Sequence, residues 1–200
     1  MLTAVTGFAL WTLALVAYSI RTLVKGRYRV ARVEAMGGTR LLNAWSMEFG
    51  YWCIHGVARA LVALRIGPNA ITFASLGAAA AAGIALFLGS FGAGGWLAIT
   101  AGLLDVLDGW VARTRGVDGE AGEYLDSVVD RYCDLAIYGG LCAYYFRHWP
   151  TVAAVVWLAM VASFMITYTR VQGEAQGVRG VPNRLMRRHE RTTYVGVGLA

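Results

Sequence analysis

The sequence is short of charge. Only 15% of its 200 residues are Asp, Glu, Lys or Arg, and 58% are hydrophobic, whereas a soluble domain carries about 25% charged and roughly 45–50% apolar residues. That shortage excludes a disordered chain and a soluble nucleic-acid-binding module, so no nucleic-acid partner is expected. Cysteine is scarce too. Cys53, Cys133 and Cys142 lie in apolar stretches without paired metal-ligand spacing, which excludes a disulfide scaffold and leaves small packing residues. There is no internal repeat, and no low-complexity segment beyond the alanine-rich helix filler at 78–82. What remains is an all-α, polytopic transmembrane helix bundle.

Residues 2–20 carry no charge, and Arg21, Lys25, Arg27, Arg29 and Arg32 follow at once. A signal peptide has its basic residues before the apolar run; the order here is reversed, so the segment reads as a retained anchor or spanning helix of bilayer length. The next uncharged stretch, 66–104, is too long for one crossing. The glycine-rich string 89–95 divides it into a hairpin with spans near 70–88 and 95–114. Further helices are expected over 121–146 and 150–170, and the apolar run 192–200 is too short to cross. Alternating crossings put every Lys and Arg except Arg147 on, or close to, one side. By the positive-inside rule that side is cytoplasmic, with segments 21–65, 114–121 and 171–191 inside; the expected location is the cell's inner membrane. Residues 41–65 mix Trp45, Phe49, Tyr51 and Trp52 with Glu48, His55, Arg59 and Arg65, the pattern of an amphipathic helix lying at the cytoplasmic interface. The expected organisation is an N-terminal membrane helix and basic linker (1–40), the interfacial helix (41–65) and a transmembrane domain (66–200).

Asp105 and Asp108 are three residues apart and share one helix face; Asp126 and Asp130, four apart, share another. The eight-residue loop 114–121 makes the two helices antiparallel neighbours, so the two pairs can face one another. Ionisable groups inside spans are costly and usually functional. Four converging carboxylates repel, and no lysine lies nearby to neutralise them. An all-oxygen cluster without His or Cys suits magnesium or manganese rather than zinc, and four carboxylates can hold two such ions. Gly109, Ala112 and Gly122 leave room for a flat or phosphorylated ligand to approach the backbone, although small residues also serve helix packing. Asp118, Glu120 and Glu123 read as solvated loop residues. Asp134, one turn beyond Asp130, is left open between pairing with Arg131, pairing with Arg170 and hydrogen-bonding a ligand.

The string Asp105-x-x-Asp108-Gly109-x-x-Ala112-Arg113, eight residues, then Gly122-x-x-x-Asp126-x-x-x-Asp130 resembles the complete signature of the CDP-alcohol phosphotransferases. The resemblance covers about residues 66–191, and Pro68-Asn69-Ala70-Ile71-Thr72 resembles the start of the family's first core span. Family members have six core spans; on that pattern the fifth is cut short in this sequence. The resemblance implies a membrane transferase of phospholipid biosynthesis that moves a substituted phosphate from CDP-diacylglycerol to an acceptor hydroxyl and releases CMP. It implies Asp105, Asp108, Asp126 and Asp130 as ligands of two metal ions, with Asp130 also the general base. Donor binding falls to Asn69, Thr72, Asp108, Gly109, Ala112, Arg113 and Gly122. Family habit also implies a homodimer.

The arginines within 170–191 are explained in large part by topology and attraction to anionic lipid. Such clusters also bind phosphate with bidentate geometry, which favours an anionic acceptor held by Arg131, Arg170, Arg187, Arg188 and Arg191. Arg131 directly after Asp130, with the runs 168–175 and 187–191, resembles the inositol-phosphate-using branch; the glycerophosphate-using branch is the alternative. A divalent-cation transporter is the rival of another class, but it requires acidic groups near mid-bilayer, whereas these lie at one boundary.

Overall fold

The computed structural model describes residues 2–26 and 44–177. Among them the only regular elements are six helices: α1 Leu2–Lys25, α2 Ala44–Ala63, α3 Pro68–Phe87, α4 Phe91–Arg115, α5 Glu120–His148 and α6 Pro150–Ala175. The chain divides at Ile66/Gly67 into two compact units.

The first unit holds α1 and α2. Its centre is Tyr18, fully buried and ringed by Trp45, Phe49 and Trp52 of α2 with centroids 5.3, 5.4 and 5.4 Å away. Such tilted pairs add to the area that they bury. Glu48, Phe49, Ile54 and Ala58 form the buried set of α2, while Cys53, Val57 and Arg59 are exposed.

In the second unit α3 is the hub. It packs along α4 and α5, and α6 packs on α5, whereas α4 and α5 touch one another only sparingly. Small residues bring these helices close. A side chain at Gly140 or Gly83 would strike the facing backbone, the Gly83 carbonyl from one side and that of Ala136 from the other, so α3 and α5 cross in backbone contact. Around this crossing lies a core of Ala79, Ala82, Leu86, Ala98, Ala101, Val129, Cys133, Ile137 and Leu141.

Helix ends differ from the sequence expectation in instructive ways. Only 88–90 turn between α3 and α4: Gly89, at φ 78°, sends its N–H to Leu86 O, and Ser90 reaches Ala85 O. The remaining glycines of the string are helical, and Gly94 is buried where a Cβ would meet Leu86. The loop between α4 and α5 shrinks to residues 116–119. Gly116, at φ 63°, closes α4 with the Val117 N–H on Ala112 O. Pro150 begins α6 directly after Trp149, suited to a first helical position because it lacks an N–H. At that end Phe91, Tyr144, Tyr145, His148 and Trp149 pack together, edge to face at Phe91–Tyr144 and Tyr144–Tyr145, stacked at Tyr144–His148 and tilted at Tyr145–Trp149, and Arg147 lies 4.7 Å over the Phe87 ring.

Three described helices, Pro68–Phe87, Phe91–Arg115 and Pro150–Gly173, are long and apolar enough to cross a membrane. α5 is more polar because its first half carries the acidic residues. α6 leaves Val155, Trp157, Leu158, Met165 and Ile166 exposed. This is a multi-pass membrane protein.

Candidate active site

α4 delivers Asp105 and Asp108 in its second half, and α5 delivers Asp126, Asp130 and Asp134 on successive turns. Because each pair shares a helix face, the bend at 116–119 turns both sets toward one place. Asp105, Asp126 and Asp130 each offer an oxygen within 4.8 Å of the others. Asp130 retains 9% exposure, and Oδ1 of Asp126 is shielded from solvent. At that spacing, charges in a medium of effective dielectric about 20 repel by about 3.5 kcal/mol per pair or more. A cation relieves this, and the donor set, oxygen alone, fits a hard divalent ion.

The structure brings together three of the four signature aspartates in this way. Asp108 borders that group, near enough to feel the charges of Asp126 and Asp105, but it is 4% exposed and Thr72 Oγ1 donates to its Oδ2 at 2.6 Å. The same hydroxyl lies 3.1 Å from Pro68 O, which ties the first turn of α3 to α4. The hub position of α3 explains the diversion, since its N-terminal turn stands against α4 where Asp108 emerges.

Of the remaining donor-side residues, Asn69, Arg113 and Gly122 are exposed and Ala112 is half-buried. Gly109 has a definite consequence. A Cβ there would lie 3.1 Å from Arg113 Nη1 and 3.7 Å from its Cζ, so the missing side chain lets the guanidinium lie back along α4. On the acceptor side Arg170 is exposed near the end of α6. Arg131 leans on Asp134, with Nη1 3.6 Å from Oδ2. Arg187, Arg188 and Arg191 lie outside the described residues. Sequence reasoning missed Ser163, whose Oγ donates to Asp134 Oδ2 at 3.4 Å; a lone serine in an apolar helix carries no signal of its partner.

A sequence model of the CDP-alcohol phosphatidyltransferases matches residues 65–197. The chain belongs to the CDP-alcohol phosphatidyltransferase family. It is therefore a transferase of phospholipid biosynthesis, of the class that moves a phosphatidyl group from a CDP-linked lipid to an alcohol. Among relatives, the phosphatidylinositol phosphate synthase of Corynebacterium glutamicum is 33% identical over 154 residues, 73% of this chain and 69% of that protein. The enzyme of the same name from Mycobacterium bovis is 34% identical over 128 residues, 62% of this chain; the chain spans 58% of its length. The solved phosphatidylinositol phosphate synthase of Mycobacterium tuberculosis in complex with manganese and citrate superposes with a TM-score of 0.65 at 31% identity, covering 72% of this chain and 70% of that one. The same enzyme with CDP-diacylglycerol bound gives 0.64 at 28% identity, covering 72% and 73%.

Proposed function

We propose that the chain is a phosphatidylinositol phosphate synthase, joining the phosphatidyl group of CDP-diacylglycerol to a hydroxyl of inositol phosphate on the cytoplasmic side of the inner membrane. The observation that carries this reading is the convergence of Asp105, Asp126 and Asp130 within 4.8 Å, in a chain whose relatives on both comparisons bear that name.

In this reading Asp105, Asp108, Asp126 and Asp130 hold two magnesium or manganese ions, and Asp108 reaches them by exchanging its bond to Thr72. The bound metal supplies neutralisation of the pyrophosphate and of the charge on departing CMP. Arg113, laid along α4 over Gly109, takes a donor phosphate. Asn69, Ala112 and Gly122 line the nucleotide's approach, where small or short side chains leave backbone accessible. Arg131, Arg170, Arg187, Arg188 and Arg191 bind the phosphate of the acceptor. Asp130 accepts the proton of the attacking hydroxyl as the new P–O bond forms to the lipid phosphorus and the bond to CMP breaks, a contribution of about 10²–10⁴ in rate. α2 lies at the cytoplasmic headgroup level, and the exposed apolar residues of α6 meet acyl chains and a second copy in a homodimer.

The test is CMP release from CDP-diacylglycerol with magnesium or manganese, offering inositol phosphate, glycerol phosphate, serine and inositol in turn. Turnover with inositol phosphate well above the others is expected. A preference for glycerol phosphate would reassign the acceptor, and silence with every alcohol from a folded protein would sink the enzymatic reading.

A further inference from the structure

Asp134 is the buried acidic side chain of α5 that neither the cluster nor the donor employs, only 6% exposed. One turn past Asp130, it draws two partners to Oδ2: Ser163 Oγ from α6 at 3.4 Å and Arg131 Nη1 at 3.6 Å. The direction of Arg131 is informative. Helical side chains lean toward the N-terminus, and an arginine in a membrane helix stretches toward the nearest water. On α5 both tendencies point to the acidic end. Arg131 instead reaches one turn the other way. Its Nη1 is shielded from solvent and finds no hydrogen-bond acceptor among the described residues, so the attraction is of charge for charge. The side chain as a whole stays 30% exposed.

We propose that Asp134, braced by Ser163, is a positioning residue for the anionic acceptor: it holds the Arg131 guanidinium at the α5–α6 contact, preset to take the acceptor's phosphate. Pre-organisation of this kind raises affinity by removing the cost of ordering a long side chain on binding. The proposal rests on the acceptor role of Arg131 given above.

Steady-state CMP release by the full chain, with inositol phosphate and CDP-diacylglycerol varied separately, provides the test for Asp134→Asn, Asp134→Glu and Ser163→Ala. Loss of one charge-assisted contact is expected to raise the acceptor KM about tenfold in Asp134→Asn and leave the donor KM unchanged. Ser163→Ala should move it less in the same direction, and Asp134→Glu should restore part of the loss. Equal changes for both substrates would reduce Asp134 to a structural brace. A lower acceptor KM in Asp134→Asn would show that Asp134 competes with the acceptor for Arg131; either result overturns the proposal. Should Asp134→Asn fail to fold, Ser163→Ala decides, and an unchanged acceptor KM there refutes it. If the unaltered enzyme turns over glycerol phosphate instead, the inositol reading fails alone and the same KM comparison is made on glycerol phosphate. Turnover confined to uncharged alcohols defeats both.

Discussion

The two halves of α5 could hardly differ more. From Ile137 onward its buried face is apolar, and it presses so closely on α3 that Gly140 and Gly83 meet backbone to backbone. Its first turns carry Glu123, Asp126 and Asp130 and face α4 across a sparing contact. One half binds helices together, and the other collects charges that push them apart. The lesson is that the acidic end is tolerated because the apolar end holds the frame: stability is gathered at one level of the bundle and expended at another, as functional sites commonly require.

Substitutions at each end should separate these roles. The largest effect belongs to Asp130→Asn, which should cut turnover by about 10²–10⁴ while CDP-diacylglycerol still binds. Relieved repulsion should leave its thermal midpoint unchanged or higher without metal, and added manganese should raise that midpoint less than in the unaltered protein. A clear fall in the metal-free midpoint would mean that the acidic end contributes to the frame. Next comes Gly140→Val, whose side chain would strike the Gly83 carbonyl; overpacking of this kind costs about 1–3 kcal/mol. Thermal unfolding in detergent should register it, and KM values measured well below the midpoint should stay put. Smallest is Thr72→Val, which joins the two regions because it unties α3 from Asp108. Asp108 then has no hydrogen bond to give up before it meets the metals, so donor binding should tighten by less than about tenfold, with little change in acceptor KM. Equal weakening of both substrates would place Thr72 in the frame.

Much of this was legible in the sequence, because apolar runs and paired carboxylates at helical spacing are local signals. Three of the spans, the shared helix faces and the convergence of Asp105, Asp126 and Asp130 follow from counting residues. What could not be counted is which third element stands beside a given pair. The short loop pointed to α4 and α5 as intimate neighbours, but α3 takes that place, and Thr72 thereby captures Asp108. The glycine run 89–95 illustrates the same limit. Glycine serves turns and close packing alike, and only the approach of Leu86 shows that Gly94 does the second. Asp134 was recognised as unusual and Arg131 was one of its candidate partners, yet Ser163 could be supplied only by the packing of α6.

The unbroken length of α5 has a consequence for the living membrane. Its 29 residues make a rod of about 43 Å, longer than the ~30 Å hydrocarbon layer, and Arg147 with its ring of aromatics moors the far tip. A rod of that length fits such a layer only by tilting or by leaving turns outside it.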